Sequence, residues 1–179
     1  MLIKNWLIYG FIGCFCFINC SFQVAPPAPS LAIGSAAPDF TTKLDNNKSF
    51  TLSSLKGSIT LLEFWASWDI PSRKNHLELI SIYNKYKDKK FAAAKKFHVV
   101  SISIDQKSEV YKVAIVREAL PWNYHACDFN GWYGTVVNLY KVEHIPNNFL
   151  LDGQGNIIAK NIFYGDVEVQ LQKLLAVKP

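Results

Sequence analysis

The chain has 179 residues, enough for one domain with a substantial core and too few for two ordinary domains. Half of the residues are hydrophobic and 14% are aromatic, so the composition excludes a disordered or fibrous protein. The formal net charge of +5 comes from scattered lysines, and it is too small to indicate nucleic-acid binding.

The four cysteines are unevenly distributed along the chain. Cys14, Cys16 and Cys20 lie close to the N-terminus, and only Cys127 lies in the body of the chain. This distribution excludes a disulfide framework and a cysteine-rich zinc site in the body. The body is also unable to form an internal disulfide.

The N-terminal segment is typical of a protein-export signal. Residues 6–18 are mostly large and apolar, follow Lys4, and are too few to cross a bilayer, which needs about 20 residues. Residues 17–20, Phe-Ile-Asn-Cys, resemble a bacterial lipobox, in which the cysteine becomes the lipidated first residue. This resemblance predicts Cys20 as the lipidation site. A second match ends at Cys14 and has a better residue before its cysteine, but it leaves a shorter apolar region.

Two alternatives stay open for this leader, namely a secretion signal without a lipid and an uncleaved anchor that runs to about Ala25. All three interpretations place the rest of the chain outside the cytoplasm, in the bacterial periplasm or envelope. Residues 21–32 contain three prolines and predict a flexible tether. We therefore expect a leader at residues 1–20, a tether at 21–32 and one domain at 33–179.

The body alternates predicted strands with predicted helices. Phe40–Leu55 predicts a small hairpin, and Ile59–Ala66 is an apolar run, interrupted by the one acid Glu63, that predicts a strand buried on both faces. The later elements are a helix at Ser72–Lys90, a strand at Val99–Ile104, a helix at Glu109–Leu120, a strand at Tyr124–Asp128, a helix at Trp132–Val142, strands at Phe149–Leu151 and Ile157–Ile162, and a closing helix at Val167–Val177. This order predicts an α/β fold with a mixed sheet.

The segment Phe64-Trp65-Ala66-Ser67-Trp68, followed by Pro71 and Arg73, resembles the active site of one known family. The family is that of the TlpA/ResA-like extracytoplasmic thiol–disulfide oxidoreductases, which have Trp-Ala-Ser-Trp-Cys-x-Pro-Cys-Arg after an apolar strand with an acid. The resemblance runs from Ile33 to the C-terminus. It implies a thioredoxin-like α/β fold, with a central mixed β-sheet flanked by helices, an N-terminal hairpin and a β-α insertion.

The chain departs from this family at the two positions where the resemblance implies cysteine, which are Asp69 and Ser72. Disulfide exchange begins with attack by a thiolate, and neither a carboxylate nor a hydroxyl can replace it. We therefore expect dithiol catalysis to be lost, and the sequence leaves open whether the chain is an enzyme. Asp69 is expected to cap a helix, because its carboxylate accepts the free N–H groups of a first turn. A binding role or a new catalytic role for this carboxylate is the alternative.

The same resemblance implies the other candidate site residues. Glu63 matches the acid beneath the family's cysteine pair, where it can relay protons. Without a thiol above it, we expect a hydrogen-bonded buried carboxylate with a raised pKa. Pro146 matches the family's cis-proline, beside which the backbone of relatives pairs with an extended substrate. The candidate binding residues are Trp68, Asp69, Pro71, Ile145 and Pro146.

Cys127 is the only thiol in the body and is expected to be a small buried residue. A reactive thiol and an intermolecular disulfide are the alternatives. His76, His98, His125 and His144 are dispersed, and His76 lies two helical turns from Asp69, too far for joint ligation. We expect no metal and no cofactor.

The leading interpretation is an exported, lipid-anchored thioredoxin-fold protein that has lost dithiol activity. We expect it to bind an extended polypeptide or an envelope protein at Trp68, Asp69 and the Ile145-Pro146 loop. The first alternative is residual redox activity through Cys127, alone or with a partner thiol. The second is a structural envelope protein in which the groove is a remnant.

Overall fold

The structure, a computed structural model, describes residues 30–176. The predicted leader, both candidate lipidation sites at Cys14 and Cys20, and residues 21–29 of the predicted tether lie outside the described residues. Within residues 30–176, no helix combines the length and the apolar character needed to cross a membrane.

Seven strands and four helices make up the described part of the chain. The strands are β1 (Thr41–Lys43), β2 (Ser49–Thr51), β3 (Ile59–Trp65), β4 (Phe97–Ser103), β5 (Tyr124–Cys127), β6 (Asn147–Leu151) and β7 (Ile157–Lys160). The helices are α1 (Ile70–Tyr86), α2 (Ser108–Glu118), α3 (Thr135–Leu139) and α4 (Tyr164–Leu174). Strands β1 and β2 form an antiparallel hairpin.

The other strands form a five-stranded sheet in the order β5-β4-β3-β6-β7. Strand β3 pairs in parallel with β4, and β4 pairs in parallel with β5. Strands β6 and β7 run antiparallel to their neighbours, so the sheet is mixed. All seven residues of β3 are buried, as expected for a central strand that is covered on both faces.

Two layers cover the sheet. Helices α1, α2 and α4 pack on one face, where Leu79, Tyr111 and Leu171 are buried. The β1–β2 hairpin and α3 pack on the other face, with Phe50 and Tyr140 among the buried residues. The segment α2–β5 adds a fifth strand outside β4. The thioredoxin-like fold, with its N-terminal hairpin and β-α insertion, is thereby confirmed.

Residues 132–142 do not form the single helix that their apolar spacing predicted. A short 3-10 turn at Gly131–Tyr133 precedes α3, and Gly134 between them has an extended backbone, with φ −58° and ψ 144°. The carboxylate of Asp128 accepts a hydrogen bond from the N–H of Thr135 (2.9 Å), which fixes this break. A Cβ atom at Gly134 would lie 2.9 Å from Asp128, so a larger residue there would displace that carboxylate.

The boundaries of two other helices also differ from the prediction. Helix α1 begins at Ile70 rather than Ser72 and ends at Tyr86 rather than Lys90. Helix α4 begins at Tyr164 rather than Val167. The tyrosine side chain is buried at the start of α4, so tertiary packing extends this helix beyond its regular apolar stripe.

The candidate site lies at one end of the sheet's central strands, where β3 ends and β6 begins. Residues 66–69 connect the end of β3 to α1, and Pro146 directly precedes the first residue of β6. Because β3 and β6 pair with Phe64 opposite Asn147, the register places Pro146 next to the C-terminal end of β3. The fold thus gathers residues 66–69 and 145–146 in one region.

Candidate functional site

Helix α1 begins at the site with a carboxylate at its N-terminus. The Oδ2 atom of Asp69 accepts hydrogen bonds from the backbone N–H of Ser72 (2.8 Å) and from the hydroxyl of Ser72 (2.5 Å). Pro71 occupies the first turn, where a missing N–H breaks no helical hydrogen bond. Asp69 is therefore the N-cap residue of α1, and its carboxylate is held by the adjacent turn.

We expect Asp69→Ala to lower the free energy of unfolding by about 1 kcal/mol, because the N–H of Ser72 loses its acceptor. Asp69→Asn keeps a side-chain oxygen and is expected to retain most of that stability. Urea unfolding followed by circular dichroism measures both variants. Equal losses in the two variants would show that the cap does not contribute in this way.

The loop that carries Trp68 is held from below. The N–H and the hydroxyl of Ser67 donate to the carboxylate of Asp105, at 2.9 and 2.7 Å. Asp105 is fully buried and also accepts from the hydroxyl of Ser103 (2.7 Å). On this support the side chain of Trp68 is 58% exposed, whereas Trp65 is buried in the core. Trp68 is therefore an exposed aromatic group next to a residue that is held by hydrogen bonds.

The Ile145–Pro146 loop supplies the second part of the candidate surface. Its peptide bond is cis, and both side chains are half-buried. Within residues 30–176, neither the N–H nor the C=O of Ile145 forms a hydrogen bond with another backbone group. The loop therefore carries unpaired backbone groups at the same end of the sheet as Trp68 and Asp69, where β3 ends and β6 begins.

Glu63 is buried beneath this surface, on the face of β3 that packs against α1 and α4. Its carboxylate accepts hydrogen bonds from the hydroxyls of Ser101 and Tyr164, the latter at 3.0 Å. The Nε2 atom of His76 lies 3.6 Å from Oε1 of Glu63, which is an ion-pair distance rather than a hydrogen bond. Sequence reasoning expected this acid to be buried but did not find its histidine partner.

His76 extends the charged group toward the surface. Its Nδ1 atom lies 2.5 Å from Oε2 of Glu118 at the end of α2, and the other oxygen of Glu118 accepts from Nε of Arg73. The four side chains thus alternate in sign, as an acid, a histidine, an acid and an arginine. Together they form a series of ion pairs that runs from the buried Glu63 to the half-buried Arg73. We call this set the buried charge chain.

The charges of Glu63 and His76 shift each other's pKa. Burial raises the pKa of Glu63, but the facing charge of His76 and the hydrogen bonds it accepts bring the net pKa below its ordinary value. The expectation of a raised pKa was therefore wrong. Burial lowers the pKa of His76, and the carboxylates of Glu63 and Glu118 raise it to about 9. His76 is consequently a cation at neutral pH.

One signal in the sequence could have revealed His76. The buried stripe of α1 consists of Ser72, His76, Leu79, Ile82 and Tyr86. A histidine in the apolar stripe of a helix has to meet a polar partner on the element against which the helix packs. The neighbouring strand β3 contains a single acid, so Glu63 was the available partner.

Cys127 is half-buried at the end of β5, and its thiol donates to the backbone oxygen of Asp105 at 3.3 Å. Burial raises the pKa of Cys127 to about 11. At neutral pH this thiol is almost entirely protonated and a poor nucleophile. Its environment is that of a structural cysteine.

The described residues do not converge on a metal site. Across residues 30–176, no three His, Cys, Asp or Glu side chains are grouped so that they could hold a metal ion. Within the buried charge chain, His76 faces its two carboxylates through different ring nitrogens, so the three groups do not point at a common centre.

The comparisons with known proteins agree with this geometry. A family model described as Thioredoxin-like matches residues 57–157. The chain is 28% identical over 133 residues to the thiol-disulfide oxidoreductase ResA of Bacillus cereus, covering 74% of this chain and 70% of the relative.

Solved structures extend the likeness over about four fifths of the chain. The C-terminal domain of a candidate thiol-disulfide oxidoreductase from Bacteroides thetaiotaomicron matches with a TM-score of 0.71 and 33% identity, covering 80% of this chain and 95% of that one. The thioredoxin domain of a thiol-disulfide oxidoreductase from Bacteroides vulgatus gives a TM-score of 0.71 and 29% identity, covering 82% of this chain and 100% of that one. The chain therefore belongs to the thioredoxin-like family and to its TlpA/ResA-like branch.

Proposed function

We propose that this chain is an exported, non-redox member of its family that binds an extended segment of a partner polypeptide. The binding surface is formed by Trp68, Asp69 with Pro71 beside it, and the Ile145–Pro146 loop. One observation carries the proposal: the exposed ring of Trp68 and the unpaired backbone groups of Ile145 lie at the same end of the sheet. The sequence has no cysteine between Cys20 and Cys127, so this surface contains no thiol from residues 66–72 for disulfide exchange.

The chemistry of Asp69 and Ser72 supports the loss of redox activity. The relatives are named for thiol–disulfide exchange, which needs a thiolate nucleophile. Here a carboxylate accepts a hydrogen bond from a hydroxyl at the corresponding place. Neither group exchanges electrons with a disulfide. What the two residues do provide is a stable, negatively charged start to α1.

The physical basis of binding is the pairing of an extended chain with unpaired backbone groups. Main-chain hydrogen bonds to Ile145 supply affinity without regard to sequence, and side-chain contacts supply specificity. Trp68 adds a large aromatic surface whose loop is already ordered by Asp105, so little conformational entropy is lost on binding. Thiol chemistry contributes to neither interaction.

Export rests on the N-terminal sequence. The apolar residues 6–18 after Lys4 and the lipobox-like end at Cys20 support a lipid anchor and a place in the bacterial envelope. The partner would then be an envelope protein or another extended polypeptide in that compartment. No nucleic-acid partner is proposed.

Site-specific crosslinking tests the binding surface. A photoreactive amino acid placed at position 68 or 145 of the full chain is expected to trap the same partner polypeptide in native membranes. The matched control places it at Val169, which is exposed to a similar extent on α4, and is expected to trap no such band. A band that is absent at both site positions, or equally strong at position 169, would contradict the proposal.

The redox alternative depends on Cys127. Its raised pKa and its hydrogen bond to Asp105 argue against a reactive thiol, and no second thiol lies in the described residues.

A further inference from the structure

A groove of about 560 Å³ lies between the Trp68 loop and α2. Its apolar lining consists of Trp68 from the loop and of Val110, Val113 and Ala114 from α2. The valine side chains are 47% and 62% exposed, and Val116 on the next turn is 79% exposed. Large apolar side chains that stay exposed together on one helix are characteristic of an interaction surface. The groove is distinct from the Ile145–Pro146 loop, which does not line it.

Two arginines lie at the rim of this groove, and one of them has no ion-pair partner among the described residues. Arg73 and Arg117 line it, against a single acid, Glu109. Within residues 30–176, Arg117 forms no ion pair. Arg73 pairs with Glu118 through Nε, and its two Nη groups form no hydrogen bond in the described part of the chain. A guanidinium with free Nη groups binds a carboxylate readily.

The polar groups at the base of the groove already have partners. Both the N–H and the hydroxyl of Ser67 donate to Asp105. An apolar side chain that enters beside Trp68 therefore leaves none of these groups without a hydrogen bond. The volume lies in the range of pockets that take up ligand groups, and the supporting loop is fixed in advance.

From these observations we infer the chemistry of the bound segment. It carries a large apolar side chain that lies between Trp68 and Val113, and beside it an Asp or Glu side chain whose carboxylate meets Arg117 and Arg73. The partner is thus an acidic, apolar polypeptide segment. This inference rests on the proposed function, since the same segment would continue past Trp68 toward Ile145.

Peptide selection tests this chemistry directly. The purified full chain is immobilised and used to select from a displayed library of random nine-residue peptides. We expect the selected peptides to be enriched in Asp or Glu within two positions of Leu, Ile, Phe or Trp. With Arg117→Glu as the bait, the preference should change to Lys or Arg, because the charge at the rim is reversed.

Two control substitutions separate the groove from the rest of the surface. Lys112 is exposed on the same helix outside the groove, so Lys112→Glu should leave the acidic preference intact. For one selected peptide, Val113→Asp should weaken binding about tenfold in fluorescence anisotropy. Val169→Asp, at a similarly exposed valine on α4, should leave binding unchanged.

The outcomes distinguish this inference from the proposed function. Peptides that lack acidic enrichment, or that bind Arg117→Glu as well as the parent, would overturn the inference. If binding of such peptides still required Trp68, the proposed function would stand. Selection of no peptide, or of peptides that ignore Trp68→Ala, would overturn both.

Discussion

Replacing His76 with leucine is expected to lower the free energy of unfolding by about 3–5 kcal/mol, the cost of removing one partner of a buried ion pair. Glu63 is buried beside it, and the hydroxyls of Ser101 and Tyr164 would be its remaining partners. The carboxylate would then be a buried charge without a cation, or would have to take up a proton. Urea unfolding at pH 6 measures this loss.

The double variant Glu63→Gln/His76→Leu is the matched control. It removes both charges, so it should be more stable than His76→Leu, and the double-mutant cycle should show a favourable coupling. The ring centroids of His76 and Trp65 are 4.7 Å apart. If adding Glu63→Gln recovers none of the loss, the histidine stabilises the fold by packing against Trp65 rather than by its charge.

The pH dependence of stability gives an independent readout of the same pair. His76 has a pKa of 6.5 when unfolded and about 9 when folded, so its contribution is complete below pH 6.5 and is lost as the pH rises through about 9. The loss amounts to about 3 kcal/mol. Glu63, with a lowered pKa, loses its contribution on acidification below about pH 4.5. In His76→Leu the alkaline loss should be absent.

Asp69→Cys combined with Ser72→Cys is expected to confer disulfide exchange on the chain. The hydroxyl of Ser72 meets the carboxylate of Asp69 at the first turn of α1 (2.5 Å), so cysteines at these two positions would face each other. The start of α1 lowers the pKa of a thiol at position 69, which increases its thiolate fraction at neutral pH. We expect insulin reduction about tenfold faster than in the parent.

The Cys127→Ser variant of the parent is the control for this assay. We expect the parent and this variant to reduce insulin equally slowly, because the thiol of Cys127 is protonated at neutral pH. Parent activity that disappears in Cys127→Ser would establish the redox alternative instead. A double-cysteine variant that folds but does not react would show that Asp69 and Ser72 are not at the redox positions of this fold.

Much of the fold follows from local patterns. The run of apolar residues at 59–65 is long enough for a strand and flanked by turns, and it is the central strand of the sheet. The resemblance that centres on the motif from Phe64 to Arg73 and runs from Ile33 to the C-terminus predicted the thioredoxin-like arrangement. Helix α3 was mispredicted because the break at Gly134 depends on Asp128, a contact that apolar spacing does not encode.

At the site, the sequence by itself determined which side chains stand at positions 69 and 72. Asp69 and Ser72 are not thiols, and no arrangement of the chain changes that. The capping role of Asp69 was also predictable, since it depends on a turn three residues long. Trp68 was among the predicted binding residues, and its side chain is exposed at the surface.

Only the tertiary structure decided the state of the buried acid and the place of the groove. His76 and Glu63 are thirteen residues apart on different elements, and Glu118 lies on a third. The ion pairs between them therefore form only when β3, α1 and α2 pack together. The groove likewise requires α2 to lie beside the Trp68 loop. Local sequence determines which groups are present, whereas pKa values and surfaces depend on which groups the fold brings within a few ångströms of one another.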